Sequence, residues 1–198
     1  MSIADVAGEA TDLAGRAHQG PLCVEDLPPE RGYELIDGSL YVTPLGDLEH
    51  QSLIMDYAMR LTGLAPEGLR VLAGVNVVQG RMTLVEPDVA VVDPRGVDPG
   101  GLGVAPADLR LVIEITSPST RRRDLSFKRE LYREWKVPYL IIDRSTTPFT
   151  AHMEGEPPVW VRRFMVKMGL ESHENVKFLT EGIERPESGQ GVVRDIIE

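Results

Sequence analysis

Cysteine is almost absent: Cys23 stands alone in 198 residues, so the chain can build no intramolecular disulfide, no thiol-based zinc site and no redox pair. No apolar run approaches the ~18 residues that a membrane helix needs. Met1-Ser2-Ile3-Ala4-Asp5 carries neither a basic nor an apolar leader segment, so a cytoplasmic location is the expectation. The glycine patterns that cradle phosphates in P-loop and dinucleotide-binding proteins do not occur. Nor does a Gly-x-Ser-x-Gly elbow, and the four histidines have no readable partner spacing, which sets a serine hydrolase using Ser117 or Ser119 far behind other readings. Positive charge is the scarcer sign, 21 Lys and Arg against 31 Asp and Glu. The resulting net charge of -10 repels a polyanion at long range and argues against a protein that coats nucleic acid without selectivity.

What remains is the composition of a globular protein, 42% hydrophobic and 26% charged, with enough length for one core and peripheral extensions. The expected division is an N-terminal extension over residues 1–24, a domain over 25–180 and an acidic, Gly/Pro-punctuated tail over 181–198. Within the domain, Asp37-Gly38 joins two strand-prone runs and predicts a hairpin over 33–42, because both turn positions need positive φ. From Asp47, a plausible N-cap, Leu53, Ile54, Tyr57, Ala58 and Leu61 recur at helical spacing until Gly63. Strands are predicted over 70–78, 82–85 running into 88–92, and 111–116, with a Pro/Gly-rich loop over 93–106. A helix over 124–136 and a buried strand over 139–142 follow, then edge strands over 148–180 that include 160–166. Strand, helix, strand implies a mixed sheet with a crossover.

Two acids stand out inside this frame. Glu114 sits in Leu111-Val112-Ile113-Glu114-Ile115-Thr116, where aliphatic neighbours would bury it, and a buried carboxylate needs a partner or a cation. Strand alternation puts Glu114 and Thr116 on the face of Val112, away from Ile113 and Ile115. Asp88 heads the apolar run Val89-Ala90-Val91-Val92. Two carboxylates with a backbone carbonyl and waters suit Mg²⁺, a hard octahedral cation. Taken singly, each acid has a plainer explanation, Glu114 as a sheet-edge residue and Asp88 as a turn residue after Pro87. Lys128 adds a third element, because it lies in line with Leu125, Leu131, Tyr132 and Trp135 on the apolar stripe of its helix. A snorkelling stem is its plain alternative. Residues 121–136 hold seven bases against three acids, with Arg121, Arg122 and Arg123 in a run. Such a run is either a solvated face or a grip on phosphates.

In order, Tyr33-Glu34-Leu35-Ile36-Asp37-Gly38, His50, Pro87-Asp88-Val89-Ala90, Glu114-Ile115-Thr116-Ser117-Pro118-Ser119-Thr120, Asp124 with Lys128, Tyr132, Val137-Pro138 and Asp143 resemble the Uma-two family of restriction-endonuclease-like proteins, in the PD-(D/E)XK nuclease superfamily. The resemblance covers roughly residues 25 to 165, and departs from the family at Val137-Pro138-Tyr139-Leu140, which is one residue short. It implies an α/β fold with a mixed central sheet flanked by helices, and a metal-dependent endonuclease acting on nucleic acid, with DNA expected. By the same resemblance Asp88, Glu114 and Lys128 are catalytic, and Asp88, Glu114, the Ile115 carbonyl and Glu34 hold Mg²⁺ or Mn²⁺. Arg121, Arg122 and Arg123 would contact substrate phosphates. His50, Thr116 and Ser117 are secondary candidates: His50 matches a family histidine on the first helix, and Thr116 occupies the usual lysine position of the signature. No membrane partner is expected, and a homodimer is compatible with the sequence. The rival is a non-catalytic binding or scaffold protein on the same fold.

Overall fold

A computed structural model describes residues 21–27, 32–42, 46–116, 127–144, 150–168 and 171–172. Ser117 and Arg121 to Arg123 therefore lie outside the described residues, as do the N-terminal extension through residue 20 and the acidic tail. Ten strands among the described residues form two sheets. The smaller is antiparallel and runs β2 (Ser39–Val42), β1 (Tyr33–Ile36), β5 (Thr83–Val85), β4 (Val77–Gln79). The larger is mixed, in the order β10 (Glu171–Ser172), β9 (Thr150–Glu154), β8 (Tyr139–Asp143), β7 (Leu109–Thr116), β6 (Val89–Val92), β3 (Arg70–Ala73). Its β7 and β8 are parallel, from Val112↔Tyr139 to Thr116↔Asp143, as a helical crossover between them requires.

Local chemistry accounts for most of these elements. Asp37 and Gly38 both take positive φ, 49° and 76°, and close the predicted hairpin. Leu22 N–H donates to the Gly38 carbonyl and Val24 N–H to that of Arg81, so the segment Pro21–Leu27 lies against this turn. Helix α1 (Leu48–Thr62) starts where expected: the Asp47 carboxylate accepts the His50 N–H at 2.8 Å, and Gly63 closes the other end. On the predicted face Ile54, Tyr57 and Leu61 are buried, while Leu53 and Ala58 pack beside them.

Three expectations fail. The strand expected over 70–78 is two strands in different sheets: Gly74 takes φ of 58°, a left-handed conformation that turns the chain out of the extended run after Ala73. The run expected to pass from 82–85 into 88–92 also breaks: β5 belongs to the small sheet and β6 to the large, and Pro87 between them has no N–H to carry a ladder onward. Residues 160–166 are not an edge strand but lie in helix α3 (Val159–Lys167). Its buried Val161, Phe164 and Met165, with Met168 beside them, follow the helical period.

The large sheet separates two cores. On one face Val89, Val91, Leu111, Ile113, Ile115, Leu140 and Ile142 pack against α1 and α3. On the other, Ala90, Val92, Val112, Tyr139 and Ile141 pack against Leu131 and Tyr132 of α2 (Arg129–Glu134) and against Ile36, Val77 and Val85 of the small sheet. A π-type turn at Phe127–Lys128 leads into α2. Glu114 and Thr116 share the Val112 face, so alternation points Glu114 into the space between the large sheet, α2 and the small sheet.

Candidate active site

Lys128 is that space's cation. Its Nζ lies 2.9 Å from Glu114 Oε1 and 2.7 Å from Glu34 Oε1, with all three side chains no more than 4% exposed. Tyr132, one helical turn beyond Lys128, donates its hydroxyl to Glu114 Oε1 at 3.1 Å. Burial, with the Glu114 charge beside it, pushes the Tyr132 phenol well above its ordinary value and keeps it a donor. Glu34 is on an inner strand of the small sheet and 2% exposed, so it is not a strand-edge acid. Its Oε1 also accepts the Glu86 N–H at 3.0 Å, and the Glu86 carbonyl lies 3.5 Å from Lys128 Nζ. Glu86-Pro87 is the stretch on which the chain leaves one sheet for the other, and Glu34 satisfies a peptide N–H there.

Asp88 follows at once. The register Val89↔Ile113 carries it beside Glu114-Ile115, where its Oδ2 accepts the Ile115 N–H at 2.7 Å. His50, in the first turn of α1, brings Nε2 within 3.2 Å of the same Oδ2 and 3.1 Å of the Ile115 carbonyl oxygen. Both neighbours only accept, so this nitrogen carries a proton. The hydrogen bond to Asp88 raises the His50 pKa from its ordinary 6.5, against an opposing effect of burial. Arg144, just past β8, anchors α1 here: its guanidinium pairs with both Asp47 oxygens and with Glu49, each at 2.9 Å. Those bonds, Arg144 first, hold the Asp47 carboxyl well below the usual range.

The consecutive residues Glu114 and Ile115 thus join two clusters, one buried (Glu34, Glu114, Lys128, Tyr132) and one partly open (Asp88, Ile115, His50), where the His50 and Asp88 side chains are 14% and 18% exposed. The carboxylates of Asp88 and Glu114 sit in different clusters. Among the described residues no three His, Cys, Asp or Glu side chains are grouped so as to hold an ion. Thr116 is buried, its hydroxyl 3.4 Å from the Ile142 carbonyl on the neighbouring strand. Arg144 went unnoticed in the sequence, where nothing ties it to Asp47, 97 residues away.

A family model described as "Putative restriction endonuclease", Uma2, matches residues 21–165. The chain belongs to the Uma2 family. Among solved structures, that of a "putative nuclease belonging to DUF820" from Anabaena variabilis ATCC 29413 is similar, with a TM-score of 0.53 and 14% identity over 72% of this chain and 93% of that one. At that identity the likeness is one of fold, and the fold is restriction-endonuclease-like. No curated protein matches the chain. No helix among the described residues is long and apolar enough to cross a membrane.

Proposed function

We propose that this Uma2 protein is a metal-dependent nuclease that hydrolyses phosphodiester bonds of nucleic acid, with DNA as the substrate. The observation that carries the reading is the junction at Glu114-Ile115, where a buried lysine–carboxylate cluster meets the partly exposed Asp88 carboxylate and the Ile115 main-chain oxygen. The family's description supports the nuclease part.

A divalent cation fits the open cluster. Asp88 Oδ2 and the Ile115 carbonyl are hard oxygen donors, and both already lie about one polar hydrogen, that on His50 Nε2. Mg²⁺ or Mn²⁺ held there by Asp88 and Ile115 would supply a Lewis acid for a phosphate oxygen and a more acidic water. Everything else falls to the chain itself. Glu114 Oε1 serves Lys128 and Tyr132, and Glu34, 2.7 Å from Nζ, keeps the ammonium compensated if Glu114 turns toward Asp88. In this reading Glu34 serves the lysine and not the cation. Lys128 would offer a charged donor to a non-bridging oxygen or to the attacking water. Arg121, Arg122 and Arg123 precede α2 in the chain and would grip flanking phosphates, which positions the substrate without reading its sequence.

One observation favours a non-catalytic protein on this fold: Glu114 already takes part in a buried network with Lys128 and Tyr132, as structural ion pairs do. Incubation of wild type, Asp88→Ala and Glu114→Ala with pooled DNA and RNA, under Mg²⁺ and Mn²⁺ titration, separates the two. Cleavage by wild type, lost in both variants and on chelation, is the expected result. Wild type inert on every substrate with either ion would remove the nuclease reading.

A further inference from the structure

Phe127 stands next to the buried lysine cluster in the chain and takes no part in it. Among the described residues it is the only exposed aromatic side chain, with 51% of its surface in water. Consecutive residues of a helical turn point in different directions: Lys128 turns inward to Glu34 and Glu114, whereas Phe127 turns to Tyr41 on the edge strand β2. The two rings lie 5.9 Å apart between centroids, tilted by 42°. Tyr41 is partly buried and stands opposite Glu34 in the hairpin register. Residues paired across two strands share a face of the sheet, so the aromatic pair borders the Glu34–Lys128 contact on the side of the edge strand.

The same strand leads in the chain to Asp47, the N-cap of the helix that carries His50, so the pair and the open cluster are served by one stretch of backbone. A ring steadied by a second ring offers a flat, apolar surface with little rotamer freedom left to lose. Nucleic acid has a planar group that fits it. In a duplex both faces of each base are covered by its neighbours, so a ring outside the double helix stacks only on an unpaired base. The charge of the chain points the same way: at a net -10 it gains little overall from releasing the counterions of a phosphate backbone. Stacking is an uncharged contact, and each base so held is worth about five- to a hundredfold in affinity.

We infer that Phe127, steadied by Tyr41, is a stacking platform for an unpaired base beside the reacting phosphate, and that the substrate is therefore single-stranded DNA in preference to duplex. The inference rests on the nuclease reading, and its test distinguishes the failure of one from that of the other.

Binding of the full chain in chelator is followed by fluorescence anisotropy with labelled oligothymidylate, with an abasic strand of the same length and charge, and with the duplex of oligothymidylate and oligodeoxyadenylate. Wild type should bind oligothymidylate about tenfold more tightly than either of the others. Phe127→Ala should bind it as weakly as the abasic strand, whose own affinity should not change, and Phe127→Trp should restore the preference, with the added indole fluorescence quenched by the bases. Under Mn²⁺, wild type should cleave the single strand about tenfold faster than the duplex. Equal affinity of wild type for base-bearing and abasic strands, or duplex cleaved as fast as single strand, overturns the platform and leaves the nuclease standing. Base-dependent binding that Phe127→Ala does not weaken overturns the assignment to Phe127. Base-dependent binding lost in Phe127→Ala, with no cleavage of any strand by wild type, removes the nuclease reading and keeps Phe127 as a contact to single strands. The comparison of base-bearing with abasic strands needs only wild type, so a poorly folded variant does not blunt the test.

Discussion

Replacing Lys128 by Met removes one ammonium at nearly constant volume and leaves Glu34 and Glu114 facing its former position, where both approach within 2.9 Å. These side chains are 2% and 4% exposed, so water cannot take the lysine's place without opening the packing between sheets. Removing one member of a buried ion pair costs about 3–5 kcal/mol, because the stranded charge keeps its desolvation penalty. For a chain of this size that loss lowers the melting temperature by roughly 6–20 °C. The sign of the pH dependence follows from proton linkage. Folding of the variant takes up a proton at the carboxylate pair that the unfolded chain does not bind near neutrality, so its stability falls as pH rises. The deficit against wild type should therefore be larger at pH 8 than at pH 5. Urea unfolding followed by circular dichroism at both pH values measures it. Glu34→Gln/Glu114→Gln/Lys128→Met, which removes all three charges, should recover most of the loss, since a buried triad is often worth little net of its desolvation. A Lys128→Met deficit under about 1 kcal/mol at pH 8 would show that the cluster is wetter than its geometry implies, and the snorkelling account of Lys128 would stand. Should the single variant not fold at pH 8, its pH 5 value and the triple variant still decide.

Divalent cation should stabilise the wild type, by about 2.7 kcal/mol at a hundredfold excess over the dissociation constant; a melting temperature indifferent to millimolar Mg²⁺ and Mn²⁺ refutes a cation site at Asp88. Without metal, the raised His50 pKa, due chiefly to the Asp88 hydrogen bond, means stability that is complete below the unfolded value near 6.5. That contribution is lost as pH climbs through the folded value. Urea midpoints measured in chelator from pH 5.5 to 8.5 should decline across that window and flatten in His50→Gln. Gly38→Ala should cost at least about 1 kcal/mol, since φ is 76° there and the new methyl would lie 2.2 Å from Pro21 Cβ. An unchanged melting curve would mean that Pro21–Leu27 does not pack on the hairpin turn. Arg144→Lys should lower stability nearly as much as Arg144→Ala, because only the guanidinium fork spans both Asp47 oxygens and Glu49; full retention by lysine would reduce this anchor to simple charge.

Short-range features of the chain were legible without coordinates. Asp37-Gly38 demanded a hairpin, Asp47 and Gly63 bracketed α1, and Val112, Glu114 and Thr116 shared a face because side chains alternate along any strand. Lys128 could be seen on the buried stripe of its helix, in line with Tyr132. Each of these rests on turn dihedrals, capping or periodicity over a few residues, which the local sequence alone determines. The residues around Lys128 could not be assembled in the same way. That Glu34, from a hairpin of the other sheet, shares the lysine with Glu114 depends on where Glu86-Pro87 crosses between sheets. His50 meets Asp88 and Ile115 only because α1 packs across the large sheet, and Arg144 reaches Asp47 only because β8 ends beside that helix. The sequence carried the strand expected over 70–78 past Gly74, since a single glycine does not say which sheet receives the next strand, and it read α3 as a strand because a short apolar run fits either period. Ion pairs and candidate ligands brought together from 38 to 97 residues apart are products of packing: residue types record which charges must be matched, and only the folded arrangement decides which ones meet.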